Sequence, residues 1–321
     1  MAIYPVTTML PQQRGVAILT VMLVVALATT TAVAMASRQQ LDIRRTENTL
    51  YQGQALMYLY GVESWSMQFL AEDRRDNEID HNGEDWATRL PPLPVEGGQV
   101  QGFIEDLQGK FSLNSLNLPE ESGKLARERF ERLLKQLEIN TEIMSTIQDW
   151  LDADIDARFP AGAEDDYYLA QDPAYRAANQ NMLSPSELLL LKELDKEIYE
   201  KLRPHINTLA ETTPININTA TAEVLMSLAD DISKSDIEGI IKKREDEAYK
   251  SVEAFLAEDI FAGKNVSEEG LSVNSDYFLL VAQADIGHLQ QTLTSIFERD
   301  DEGRIQILIP VSYTHLRAHE T

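Results

Sequence analysis

No cysteine occurs anywhere in the 321 residues. Disulfides, thiolate metal sites and thiol nucleophiles are therefore excluded, and irregular loops facing an oxidising compartment would need another staple. Basic residues are the second scarcity: 28 Lys and Arg stand against 53 Asp and Glu, a net charge of −25. An imbalance of that size argues against nucleic acid and anionic lipid surfaces as partners, and for cations or basic protein surfaces. Hydrophobic residues make up 43%, which suits a packed core with room for one large or two smaller domains. One segment lacks charge altogether, since nothing ionisable lies between Gly15 and Ser37.

Within that segment Val16–Ala36 is interrupted only by threonines. At about 1.5 Å rise per residue a helix of this length is roughly 30 Å long, enough to cross a bilayer core. It also exceeds the roughly 7–15 apolar residues of a secretory signal. Ala32-Val33-Ala34 and Ala34-Met35-Ala36 would satisfy signal peptidase, and an uncleaved anchor is a further reading. A third follows from Arg14-Gly15, a charge and a glycine set directly against the start of the apolar run. This arrangement resembles the leader of class III prepilins. The resemblance implies cleavage by a prepilin peptidase between Gly15 and Val16, N-methylation of Val16, and a mature protein that keeps its apolar helix. Arg38, Arg44 and Arg45 outnumber Arg14, which opposes the positive-inside rule; the leader is taken as the stronger signal. Position five of the mature chain, usually glutamate in that family, is Thr20. A carboxylate in hydrocarbon needs a partner, which pilins are thought to supply from a neighbour's N-terminal amine. Thr20 cannot make that pair, which suits the first subunit of a fibre.

Leu41, Tyr51, Ala55, Tyr58, Leu59, Val62, Trp65, Met67, Phe69 and Leu70 recur at spacings near three and four. That pattern extends one helix from Val16 to about Ala71, apolar all round first and one-sided later. The acidic stretch Asp73–Trp86 and the turn Pro91-Pro92-Leu93-Pro94 read as irregular. Val100, Gly102, Ile104 and Asp106, then Gly109–Leu113, read as a strand, a turn and a second strand. From Pro119 helices follow one another: Leu125–Leu137, Ile143–Leu151, and one opened by Ser184, Pro185 and Glu187, a capping box with proline at the first turn. Strands return at Tyr277–Ala282 and Arg304–Ile309, with Leu289–Phe297 ambiguous between helix and strand.

Two stretches could carry chemistry. Asp149, Asp152, Asp154 and Asp156, followed by Glu164, Asp165 and Asp166, crowd carboxylates that repel unless solvated or bridged. Hard oxygen ligands on a flexible loop suit Ca²⁺. The spacing is not that of an EF-hand, for Ala157 stands where the turn glycine belongs. Paired carboxylates could also serve glycoside hydrolysis. The second stretch, Ile215–Leu225 continuing to Ile240–Glu245 and Tyr249–Leu256, resembles a helix-hairpin-helix pair. Its hairpin, Leu228-Ala229-Asp230-Asp231-Ile232, carries two aspartates and no glycine. It would repel a phosphate, so the module reads as protein-packing.

Taken together the chain resembles the K subunits of type II secretion, the minor pseudopilin K or general secretion pathway protein K family. The resemblance runs from Arg14 to Pro310. It rests on Arg14-Gly15 with Thr20, Asp80-His81-x-Gly83-Glu84-Asp85-Trp86, Asp106-Leu107-Gln108-Gly109-Lys110-Phe111, Asp149-Trp150-x-Asp152-x-Asp154 with Gly162-Ala163-Glu164-Asp165, and Ile215-Asn216-Ile217-Asn218-Thr219-Ala220. It implies an α+β class, type IV pilin-like fold: a long N-terminal helix and a small antiparallel sheet, with a large inserted all-α domain containing a helix-hairpin-helix or SAM-like module. The implied layout is a leader at 1–15, the membrane half of the helix at 16–37, pilin-like parts at 38–118 and 271–310, and the insert at 119–270, its SAM-like part near 212–262. Residues 311–321 continue no strand pattern and read as a foreign tail. The implied role is non-enzymatic. It is a minor pseudopilin at the tip of the secretion pseudopilus, single-pass in the inner membrane with its C-terminal domain in the periplasm. The tip complex pairs it with minor pseudopilins I and J, and minor pseudopilin H and the major pseudopilin are further expected neighbours. Calcium is the implied cofactor, with Asp149, Asp152, Asp154, Glu164, Asp165 and Asp166 as ligand candidates. The alternative from the residues alone is a membrane-tethered, calcium-dependent periplasmic hydrolase.

Overall fold

The structure, a computed structural model, describes residues 14–119 and 121–316. Helix α1 runs from Arg14 to Asp76, 63 residues, five beyond the end expected from periodicity. Among the described residues it is the one helix long and apolar enough to cross a membrane, and none of its apolar window is buried in the protein. The threonines there do not break it. Thr29, Thr30 and Thr31 return their hydroxyls to carbonyls three or four residues back, so these side chains add no unsatisfied donor to the apolar segment. Farther along, the helix becomes one-sided: Ala55, Leu59 and Leu70 are fully buried. Arg74 and Arg75 in the last turn face the negative end of the helix dipole.

The buried face of α1 packs on a five-stranded antiparallel sheet of order β1-β2-β7-β8-β9. Its strands are β1 (Leu90–Val95), β2 (Gly98–Asp106), β7 (Tyr277–Ile286), β8 (Leu289–Arg299) and β9 (Ile305–Leu316). Along β7 the side chains Phe278, Leu280, Ala282, Ala284 and Ile286 alternate inward, the period-2 pattern of a sheet with one buried face.

Three sequence expectations are corrected here and one ambiguity is resolved. Pro91, Pro92 and Pro94 lie in a strand, β1, not a turn. Proline cannot donate to a ladder, and β1 is an edge strand where the outward N–H groups are not needed. The hairpin on β2 is made with β1, not with residues 109–113. There a single 3₁₀ turn, Leu107–Gly109, leads into the two-residue strand β3 (Phe111–Ser112), which pairs in parallel with β4 (Ile206–Asn207). The ambiguous Leu289–Phe297 is strand throughout. Finally, the backbone of Val311–Leu316 continues β9 and pairs with β8 as far as Leu289↔Leu316, whereas residues 317–321 lie outside the described residues.

β2 and β7 are direct neighbours, with Asp106 opposite Phe278. The roughly 170 residues between them therefore leave and re-enter the sheet at one point, which we call the neck. The insert is built mainly of short helices: α2 (Lys124–Gln136), α3 (Ile143–Leu151), α4 (Asp165–Tyr168), α5 (Lys196–Leu202), α6 (Ala222–Met226), α7 (Lys234–Asp246) and α8 (Val252–Leu256). A second parallel pair, β5 (Ile215–Asn216) with β6 (Leu271–Ser272), lies close to the neck. The insert has its own core, with Phe111 stacked on Phe130 at 5.2 Å and Trp150 edge-on to Tyr168 at 5.3 Å. Burying a side chain such as Phe130, fully enclosed on α2, contributes about 1.5–3 kcal/mol. The capping box at Ser184 and Glu187 is formed, but it opens a 3₁₀ helix, Pro185–Leu190, instead of an α-helix.

Candidate metal centre and the neck of the insert

Helix α3 ends at Leu151 with Asp152 as its C-cap, and α4 starts with Glu164 as its N-cap. The loop between them folds back so that Asp152, Asp154 and Glu164 each bring an oxygen within 4.8 Å of the other two. Glu164 is 6% exposed, and both of its carboxylate oxygens are buried without a hydrogen-bond partner, as is Oδ1 of Asp152. Burial, and after it the charges of Asp149, Asp152, Asp154 and Asp165, push the Glu164 carboxyl up to about 7. An unpaired carboxylate in such a place is costly, and a hard cation that accepts several oxygens removes the cost. The donor set fits Ca²⁺.

Of the six carboxylates expected as ligands, these three converge. Asp149 is fully buried and serves the loop itself: its oxygens accept the Arg158 amide at 3.2 and 3.1 Å. Burial raises its carboxyl above the usual range, and the Arg158 amide opposes the rise. Gly162 is required beside it, since a Cβ there would lie 2.1 Å from Asp149 Oδ2. Asp165 accepts the Ala177 amide at 3.1 Å and faces Arg176 at 3.6 Å, and Asp166 is exposed. Reading the sequence missed Arg158, whose guanidinium donates to Asp152 Oδ2 at 2.9 and 3.1 Å. Its side chain thus holds Asp152 from outside while Oδ1 faces Glu164's cluster.

At the other end of the chain, Gly15 and Val16 fall in the first turn of α1. Thr20 Oγ1 donates to the Ala17 carbonyl at 2.9 Å, so its polar atom is turned into its own helix.

The neck is a second polar centre, and the motifs around Asp80, Asp106 and Asn216 meet there. Arg299, 1% exposed on β8, donates from Nη2 to both Asp80 oxygens at 2.6 Å and to the Ser275 carbonyl at 2.7 Å. Its Nη1 reaches the Leu70 carbonyl and Asp73, both on α1, at 3.2 and 3.1 Å. Asp73, Asp80 and Glu84 also come close enough for a shared ion, but here a guanidinium supplies the positive charge. Asp106 accepts from the Gln108 amide, Ser275 Oγ, Thr219 Oγ1 and Asn216 Nδ2. Desolvation raises its carboxyl to about 6 against these bonds. Gln108 Oε1 in turn accepts the Asp276 and Tyr277 amides. Helix, sheet and both crossings of the insert are thus tied into one buried network. No local pattern pairs Asp80 with Arg299 across 219 positions.

Residues 109–211 match one family model and residues 215–274 another, both described as type II secretion system protein K. The type II secretion system protein K of Pseudomonas aeruginosa is 35% identical over 92% of this chain and 92% of its own length. That of Aeromonas hydrophila is 30% identical over 92% of this chain and 96% of its own. Among solved structures, a chain of the GspK-GspI-GspJ complex from enterotoxigenic Escherichia coli superposes with a TM-score of 0.75 at 26% identity. That likeness covers 85% of this chain and all of the other. Long helix, antiparallel sheet, a helical insert at one neck and these likenesses agree: the chain belongs to the type II secretion system protein K family.

Proposed function

We propose that the protein is a minor pseudopilin of the type II secretion system, working at the tip of the pseudopilus with minor pseudopilins I and J. The observation that carries this is the division of α1. Its first half is bare, apolar and long enough to cross a bilayer, and its second half is covered by a sheet that bears the insert at its far end. Such a subunit can slide its bare helix into a fibre core while the sheet and insert stand above the membrane. Prepilin peptidase would cut between Gly15 and Val16, leaving Val16 as the methylated N-terminus. Thr20, its hydroxyl bound to Ala17, offers no carboxylate to a neighbour's amine, which supports a first or capping place in the fibre. The soluble part would then occupy the periplasm, with minor pseudopilin H and the major pseudopilin below it.

In this reading the role is structural. Asp152, Asp154 and Glu164 would hold Ca²⁺, which supplies the charge that three converging carboxylates lack and ties the end of α3 to the start of α4. Arg158 orients Asp152, and Asp149 fixes Arg158. Asp165 and Asp166 stand at the start of α4 as further acidic neighbours. The turn between α6 and α7, with Asp231 in a left-handed conformation, supports a SAM-like, protein-packing module within the insert. Arg244 reinforces it by donating to the Ile217 and Ala220 carbonyls, each at 2.7 Å.

Mass spectrometry of the mature N-terminus tests the assignment. An N-methylated Val16 is the expected result, and a start at Met35 or Ser37 would remove the pilin route.

A further inference from the structure

We propose that Ile155 and Phe159 form a docking anchor that seats in an apolar pocket, rimmed by basic side chains, on a soluble protein partner. Phe159 is 95% exposed and Ile155 74%, unusual for large apolar side chains four positions apart on one loop. The loop that carries them is not slack. The Arg158 amide is held by Asp149 and its guanidinium by Asp152, while its carbonyl accepts the Gly162 amide at 2.8 Å. On the other side of the loop, Asn179 Nδ2 donates to the Asp154 carbonyl at 2.9 Å, and the Asp156 amide caps Asp154 at 2.8 Å. Phe159 therefore follows directly on a residue pinned at three points, yet its ring is left in solvent. An aromatic side chain on backbone already fixed loses little freedom when it is captured, and aromatic residues are enriched at the centres of protein interfaces.

Charge and position define the occupant. Ile155 is followed by exposed Asp156, and the chain's net charge is −25, so a complementary surface carries Lys or Arg around its apolar pocket. A bilayer fits poorly. The neck is fastened to α1 at Leu70 and Asp73, and from Ser37 to Leu70 the helix rises roughly 50 Å. The insert is attached that far beyond the membrane-length segment.

The anchor stands independently of the metal reading, and one set of samples separates the two. Full-length protein in its native membranes would carry photoreactive benzoylphenylalanine in place of Phe159, with the same replacement at exposed Lys250 as comparator. The expected result is a protein adduct at 159 about fivefold above the comparator. Its yield should fall as salt rises from about 0.05 to about 0.5 M and on Ile155→Ser. The cross-linked peptide should pair apolar residues with Lys or Arg. No protein adduct above the comparator, adducts with lipid alone, or a protein adduct indifferent to salt and to Ile155→Ser would each overturn the proposal. A calcium-induced melting shift, read on the same protein, reports the metal site alone.

Discussion

Replacing Arg299 by methionine removes the cation at the centre of the neck while keeping an unbranched side chain of similar length. Asp80, 1% exposed, is then left with a buried charge that its bond from the Ser275 amide only partly offsets, and the Leu70 and Ser275 carbonyls lose their donor. Removing one partner of a buried ion pair costs about 3–5 kcal/mol. At about 2–4 °C per kcal/mol for a folded unit of this size, the unfolding midpoint should fall by about 6–20 °C. Fluorescence of the detergent-solubilised full chain reports it, because Trp86 sits edge-on to Phe278 at 5.2 Å, and Arg299 lies 4.7 Å over the same ring. The deficit should depend on pH. Burial already raises the Asp73 carboxyl to about 7, with Arg299 working against the rise. A carboxyl whose folded pKa exceeds its unfolded value stabilises below the unfolded value and loses that contribution as pH rises through the folded one. The variant should therefore recover part of its loss between neutral pH and about pH 5, and Asp80→Asn added to Arg299→Met should recover part of it at neutral pH. A midpoint within about 2 °C of the wild type at every pH would refute the claim that this pair holds the neck.

Calcium added to chelator-treated protein should raise the melting temperature, by an amount equivalent to about 2.7 kcal/mol at a hundredfold excess over the dissociation constant. Glu164→Gln should abolish that shift, and a shift of unchanged size would place the ion elsewhere. Asp106→Asn removes a group held at about 6 by burial. Because its pKa is raised, the native carboxyl favours folding below about pH 4 and ceases to as pH passes 6. The difference between variant and wild-type stability should thus change across that window in chemical denaturation, and a constant difference would contradict the burial argument. Gly162→Ala places a Cβ against Asp149 Oδ2 and the Arg158 backbone; overpacking of this kind costs about 1–3 kcal/mol, readable as a lowered melting midpoint.

Much of the architecture could be read directly from residues. An uncharged run followed by three-and-four spacing describes α1 because the helix is first bare on all sides and then covered by a sheet on one. β8 resisted the same reading for a specific reason. Its inward residues are Leu289, Gln291, Leu293, Ser295 and Phe297, so the apolar ones fall four apart and imitate a helix. The polar ones are accommodated because the strand faces α1, where Ser295 Oγ meets Glu63. β1 was hidden by its prolines, which only an edge position tolerates. The acidic loop was visible as a density of carboxylates, but only its backbone path brings Asp152, Asp154 and Glu164 together and sets Asp149 against the Arg158 amide. Sequence separation concealed the neck, where Asp80, Asp106, Asn216 and Arg299 come from four distant segments.

Co-expression of the full chain with minor pseudopilins I and J, followed by native mass spectrometry from detergent, tests the central claim most directly. One species containing all three subunits is the expected result, whereas a chain that elutes alone while I and J still pair with each other would contradict the account.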